Sequence, residues 1–276
     1  MRNLLLITTL FTSLTAFSQT PKKIVLKKGQ TITVSVTSNT DADMGMGMAM
    51  KNNTTQIKKL IIIDENNDTY KLTSAITHVK LSMENPMGQN MDFDSDKAED
   101  ADNEMGKVWK EKLSLQDTLL LDKRSGNTTS FSKIAESEDK PMDGMLNAMG
   151  SNLDIQTVRD AFLMIPANKK VGESWIDSST VKGLTNKKIY TLKSFDKNFA
   201  NITTITSVEG TTNEEIQGMT ATININSKAT SEIIVDTNTG IVSKIIEITE
   251  ATTNIDMMGQ TMPMSSKGTS TTIFQY

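Results

Sequence analysis

The chain has 276 residues, a formal net charge of −4 and no cysteine, so it can build neither a disulfide framework nor a thiolate metal site, and the cysteine-dependent acyl anchor of bacterial lipoproteins is excluded. Its 29 Lys and Arg against 33 Asp and Glu are scattered along the sequence and offer no basic face to nucleic acid. Aromatic residues make up 5% of the chain, too few for the two girdles of an outer-membrane barrel.

In chain order, Arg2, the apolar run from Leu4 to Phe17, and Ala16-Phe17-Ser18 before Gln19 read as an export signal cleaved after Ser18. The expected mature chain, residues 19–276, is one β-rich domain, soluble in the periplasm or outside the cell. No transmembrane segment is expected after cleavage, because the longest apolar run, Leu60 to Ile63, is far short of the ~20 residues a spanning helix needs.

Apolar residues then alternate with Thr, Ser, Lys or Glu in Ile32 to Val36, Thr77 to Met83, Ala221 to Ile225 and Lys244 to Ile248. A period of two marks half-buried antiparallel strands, and threonine suits their solvent face because its branched Cβ favours extended backbone. Asp-containing turns at 63–70, 121–126, 195–198 and 235–240 predict four hairpins, an aspartate capping the turn amides while a Gly or Asn takes positive φ. The fold class expected is mainly β, an antiparallel meander forming a curved sheet or half-barrel with one or two short helices. Met-Gly turns around 87–93 and 258–264, with a looser relative at 44–48, suggest two related halves, 19–135 and 166–276, joined by a partly helical connector, 136–165. Apolar spacing predicts helix over Asp154 to Ile165, with Ile155, Val158, Phe162 and Ile165 on one side, and a weaker helix over Glu99 to Lys112.

Candidate chemistry is sparse. His78 is the single histidine, placed by alternation with Lys80 on an exposed strand face, so no zinc set or Ser-His pair is expected. Asp92, Asp94 and Asp96 have the spacing of a calcium loop, but Lys97 stands where that loop needs Gly and Asn103 where it needs a bidentate Glu. Eighteen methionines are the compositional anomaly. Met44, Met46, Met48 and Met50, read as one strand, would project soft thioethers suited to Cu(I) or Ag(I), or supply a flexible apolar face. Met87, Met91, Met258 and Met262 are candidates for lining an adaptable apolar site. Trp109 and Trp175 are read as core anchors. No catalytic residue or cofactor is assigned, since nothing brings an acid, a base and an oxyanion donor to one place.

The Lys27-to-Gly29 turn, the Met-Gly hairpin ending Asp92-Phe93-Asp94-Ser95, Phe162-Leu163-Met164-Ile165-Pro166, Val171-Gly172-Glu173-Ser174-Trp175 and the Asp236-to-Gly240 hairpin together resemble an uncharacterised family of exported Bacteroidota proteins, the domain-of-unknown-function family six-two-six-three. The resemblance spans most of the mature chain and implies no catalytic residues. As a fold, a long meander with a helix or two also resembles the curved half-barrels that carry lipids or lipoproteins across the periplasm. The function expected is a non-enzymatic envelope protein that binds an apolar small molecule, a lipid or a partner protein on a curved sheet. The alternatives are metal handling through Met44 to Met50 and a carboxylate-dependent enzyme.

Overall fold

Long stretches in which apolar residues alternate with threonine pair edge to edge into one antiparallel sheet. The structure, a computed structural model, describes residues 23–45, 49–84, 90–130, 158–181, 183–216, 219–257 and 259–276. The strands are β1 (Thr31–Asp43), β2 (Ala49–Glu65), β3 (Thr69–Glu84), β4 (Met91–Asp94), β5 (Asp117–Asp122), β6 (Thr128–Ser130), β7 (Ser174–Val181), β8 (Leu184–Phe195), β9 (Phe199–Ile216), β10 (Met219–Asp236), β11 (Val242–Met257) and β12 (Gln260–Gln275). Helix α1 (Glu104–Ser114) precedes β5.

Across the sheet the order is β6-β5-β3-β2-β1-β12-β11-β10-β9-β8-β7, with β4 beside β3. Strands from the two ends of the chain meet at β1 and β12, where Val34 lies opposite Phe274 and Ser38 opposite Ser270. Register shifts at Ile57/Lys58, Ile62/Asp64, Leu192/Ser194 and Ile234/Val235 insert unpaired residues, and such bulges bend and twist the strands that carry them. The sheet is therefore open and curved, with its two edges at β6 and β7.

One face carries the core. Ile32, Val34 and Val36 of β1, Leu60 and Ile62 of β2, Leu192 of β8, Ile202 of β9, Ile233 of β10, Ile245 of β11 and Phe274 of β12 are buried in one cluster. Residues 24–26 lie over one end of this face: Ile24 N–H donates to Lys123 O at 2.6 Å and Val25 N–H to Thr239 O at 3.0 Å, so the first described segment ties the β5–β6 turn to the β10–β11 turn. Gly240 permits the packing, because its φ of +77° is costly for other residues and a Cβ there would crowd Ile24 and Met164 at 3.3 Å each.

Tyr70, 3% exposed, closes the same end. Its hydroxyl accepts from Leu26 N–H at 3.0 Å and donates to Leu26 O at 3.2 Å, while Lys123 Nζ lies 4.2 Å from its ring centroid. Tyr70→Phe leaves the buried Leu26 N–H without its acceptor and is expected to cost about 1–3 kcal/mol, the range for a stranded buried polar group. Urea denaturation measures it; an unchanged midpoint would show that residues 24–26 are held without that bond.

All four hairpin turns form, and in three the aspartate caps. Asp236 Oδ1 accepts from Asn238 N–H at 2.7 Å, and Asp122 Oδ1 from Ser125 N–H at 2.7 Å. Asp196 Oδ1 accepts from Asn198 and Phe199 N–H at 2.7 and 2.8 Å. These N–H donors hold the Asp122 and Asp196 carboxyls below their usual range. The β2–β3 turn differs: Asn66 Oδ1 takes the Asp68 and Thr69 amides, and Asp64 instead pairs with Lys28 at 3.2 Å.

Three further expectations are corrected. The helix expected to run to Ile165 is helical only over 158–160 among the described residues, because Phe162 bridges Ile241 and Leu163 N–H donates to Gly240 O. Tertiary pairing here outweighs helical spacing; Val158, Phe162 and Ile165 are nonetheless buried. The weaker helix starts at Glu104, where Asn103 Oδ1 caps Gly106 N–H at 2.7 Å, and it packs Met105 and Trp109 against Val79, Leu81 and Met83 of β3. Met44 to Met50 is no single strand. β1 ends at Asp43 and β2 starts at Ala49, and the Asp43 carboxylate takes the Gly45 N–H at 2.9 Å as the chain turns.

Candidate functional site

Curvature brings the two sheet edges to one cavity. Strands β6 and β7 are at opposite ends of the hydrogen-bonded order, yet Thr128 and Thr129 of one and Trp175 to Ser179 of the other line a single cavity of about 1110 Å³. Its floor is apolar, from Phe162, Ile165, Ile233, Val242 and Ile245, which also belong to the main core.

One wall is aromatic. The register of β7 and β8 sets Trp175 opposite Tyr190, and their rings stack with centroids 5.1 Å apart and planes 4° from parallel. Such offset stacking holds two broad apolar surfaces in a fixed plane. Two residues along the same face, Lys188 Nζ lies 3.6 Å from Asp160 Oδ1 and 5.4 Å from the Tyr190 ring centroid. Burial of Lys188 is the largest single influence and opposes its charge, but the Asp160 carboxylate together with Tyr190 and Glu247 outweighs it and holds the ammonium's pKa above its usual value. The Tyr190 hydroxyl is raised chiefly by its own burial. Lys188 is thus a cation and Tyr190 a neutral phenol at any ordinary pH. Arg124 and Arg159 also line the cavity, with Asp177. The lining therefore mixes buried apolar residues and a stacked aromatic pair with many polar and charged groups, which suits a ligand with both apolar and polar parts.

The sequence candidates fall elsewhere. Met44 lies in the β1–β2 connection and Met50 on β2, where it packs beside the α1 cluster; Met46 and Met48 lie outside the described residues. Met91 also packs against the α1 cluster. Met262 is half-buried on β12 opposite Ile255, while Met87 and Met258 lie outside the described residues. Asp94 and Asp96 converge on His78, with Asp96 Oδ2 3.1 Å from His78 Nδ1, and Asp92 is two residue pairs away from Asp94 along β4, opposite Ser82. His78 is correspondingly not the exposed strand residue expected, its side chain being 17% exposed. Trp175 is both things at once, packed on the core and lining the cavity. Lys188, Asp160 and Tyr190 were missed. The only available signal was the alternation that sets Lys188 and Tyr190 on one face of β8.

The architecture defines a class: an open, curved antiparallel sheet that carries its core and a cavity on one face. The chain belongs to the family of unknown function DUF6263, which matches residues 67–242. Among curated proteins, none matches the sequence. In structure it is similar to lipovitellin, described for its lipid–protein interactions, with a TM-score of 0.51 and 11% identity over 91% of this chain and 26% of that one. The chain spans about a quarter of that protein's length, and at this identity the likeness is one of fold. A match to an outer membrane channel from Pseudomonas putida F1 has a TM-score of 0.22 and 7% identity, covering 91% of this chain and 97% of the channel, and adds nothing to the fold assignment.

Proposed function

We propose that the protein is an exported, non-enzymatic binding protein that holds an apolar or amphipathic ligand, of the lipid class, against the core-bearing face of its sheet. The observation that carries this reading is the cavity of about 1110 Å³ between the sheet edges, comparable to the upper end of the ~300–1,000 Å³ usual for ligand sites. Its floor would take an acyl chain, and Lys188 with the arginines would face an anionic or polar head. The fold likeness to lipovitellin supports the ligand class, and the Arg2-to-Ser18 signal supports export. The single histidine, His78, does not line the cavity, which leaves the site without the imidazole base common in hydrolytic catalysis.

The test uses a fluorescent fatty acid, 11-(dansylamino)undecanoic acid, titrated into delipidated protein. Saturable binding at one site per chain is expected, displaced by palmitate. Ser179→Phe, which adds a ring to the β7 wall of the cavity, should weaken binding at least tenfold while circular dichroism stays unchanged. No saturable binding, or equal affinity in the variant, would contradict the reading.

A further inference from the structure

We propose that His78, Asp94 and Asp96 form a binding site for a divalent transition-metal ion, for which Zn²⁺ is the probe. The site lies away from the cavity and does not depend on the function proposed above. It is built by a β-bulge and a strand pairing. The register of β2 and β3 skips Thr77, so His78 and Lys80 lie on the face opposite Val79 and Leu81, which pack under α1. On the neighbouring β4, Asp94 pairs with Lys80. The chain after Asp94 is then pinned to the strand edge from both sides: Ser95 N–H donates to Val79 O at 2.9 Å, and Ser95 Oγ accepts from Val79 N–H at 3.0 Å.

This pinning aims three donors at one point. His78 Nδ1 lies 3.1 Å from Asp96 Oδ2 and 3.9 Å from Asp94 Oδ1, and one ligand atom from each residue falls within 4.8 Å of the others. Zinc bonds of about 2.0–2.2 Å to N and O in a tetrahedral set put neighbouring ligand atoms about 3.3 Å apart, between the two distances seen. The Asp94 carboxylate is already oriented: Oδ1 accepts from Asp96 N–H at 3.1 Å, and Lys80 Nζ stands at 3.8 Å from the other oxygen, Oδ2. Asp94 N–H is in turn held by Asp100 Oδ2 at 2.8 Å. His78 and Asp94 are each 17% exposed while Asp96 is 76% exposed, so two ligands are fixed by the sheet and the third closes from solvent.

The donor set selects the ion. Two carboxylates and a neutral imidazole balance a divalent charge, and nitrogen with oxygen donors suits zinc and its first-row neighbours, whereas calcium takes six to eight oxygens. Spacing alone grouped Asp92 with Asp94 and Asp96; the fold puts an imidazole where the third carboxylate was expected, and that changes the metal. Nδ1 also lies 3.2 Å from Ser95 Oγ, so binding replaces its contacts with both Asp96 Oδ2 and the Ser95 hydroxyl, leaving the ring proton on Nε2.

Because His78 is the only histidine and the chain has no cysteine, no other imidazole or thiolate competes, and a long-range ¹H–¹⁵N spectrum reports this one ring. Addition of Zn²⁺ should shift the His78 Nδ1 resonance and saturate at one ion per chain. His78→Gln and Asp96→Asn should each weaken Zn²⁺ affinity at least tenfold, Asp92→Asn should leave it unchanged, and Ca²⁺ should not compete. An imidazole spectrum unmoved by excess Zn²⁺, affinity retained in His78→Gln, or displacement by equimolar Ca²⁺ would overturn the proposal. The wild-type spectrum decides it even if a variant fails to fold.

Discussion

Phe162→Ala is expected to lower the unfolding free energy by about 3–5 kcal/mol, the cost of deleting a buried aromatic side chain. Phe162 is 4% exposed and sits in the main cluster. Its backbone bridges Ile241, Leu163 N–H donates to Gly240 O and Ala161 O accepts from Val242 N–H, so the segment's place on the β10–β11 hairpin cannot adjust to refill the space. The substitution also removes part of the cavity floor. A lowered denaturant midpoint with an unchanged slope is the expected readout, together with weaker binding of the dansyl fatty acid. A loss below about 1 kcal/mol would show that residues 158–166 are not seated in the core.

Gly106→Ala is expected to be nearly as damaging, although it adds only a methyl group. Gly106 is buried in the first turn of α1, and a Cβ there would meet Asp100 O at 2.0 Å and Ala101 C at 2.7 Å. Both are backbone atoms and cannot swing aside. Relief requires α1 to lift from the preceding turn, so the cost should reach or exceed the upper end of the ~1–3 kcal/mol typical of overpacking. Trp109, 4% exposed and on the same helix, reports the displacement through a red-shifted fluorescence maximum. Wild-type stability and an unshifted spectrum would mean that the helix and the 98–101 turn are less closely packed than described.

What the sequence reveals here is what is local. Asp122, Asp196 and Asp236 announce their hairpins because the capping carboxylate and the amides it binds lie within three residues, and the alternation of apolar residues with threonine follows directly from the pleat. The same local logic applies to the first turn, since Asp43 two residues before Gly45 is itself a capping signal. Periodicity failed at Phe162, where pairing with Ile241 across a long sequence separation takes the chain out of the helix.

The sites were hidden for a related reason. His78 and Asp94 are sixteen residues apart and meet only because β4 doubles back on β3. The cavity needs Thr128, Phe162, Trp175 and Lys188 together, which requires both the β1–β12 closure and the bulges that curve the sheet. None of those features has a period or a motif. Alternation did show which residues of β8 share a face, but not that this face looks across a cavity toward the opposite edge.

Native mass spectrometry of the protein purified without detergent from its own host tests the central claim most directly. The account predicts a population heavier than the polypeptide by one bound lipid, lost on gentle activation and diminished in Ser179→Phe, with the mass of Zn²⁺ as a separable increment. Wild-type protein recovered only at its bare polypeptide mass, with no lipid bound, would contradict it.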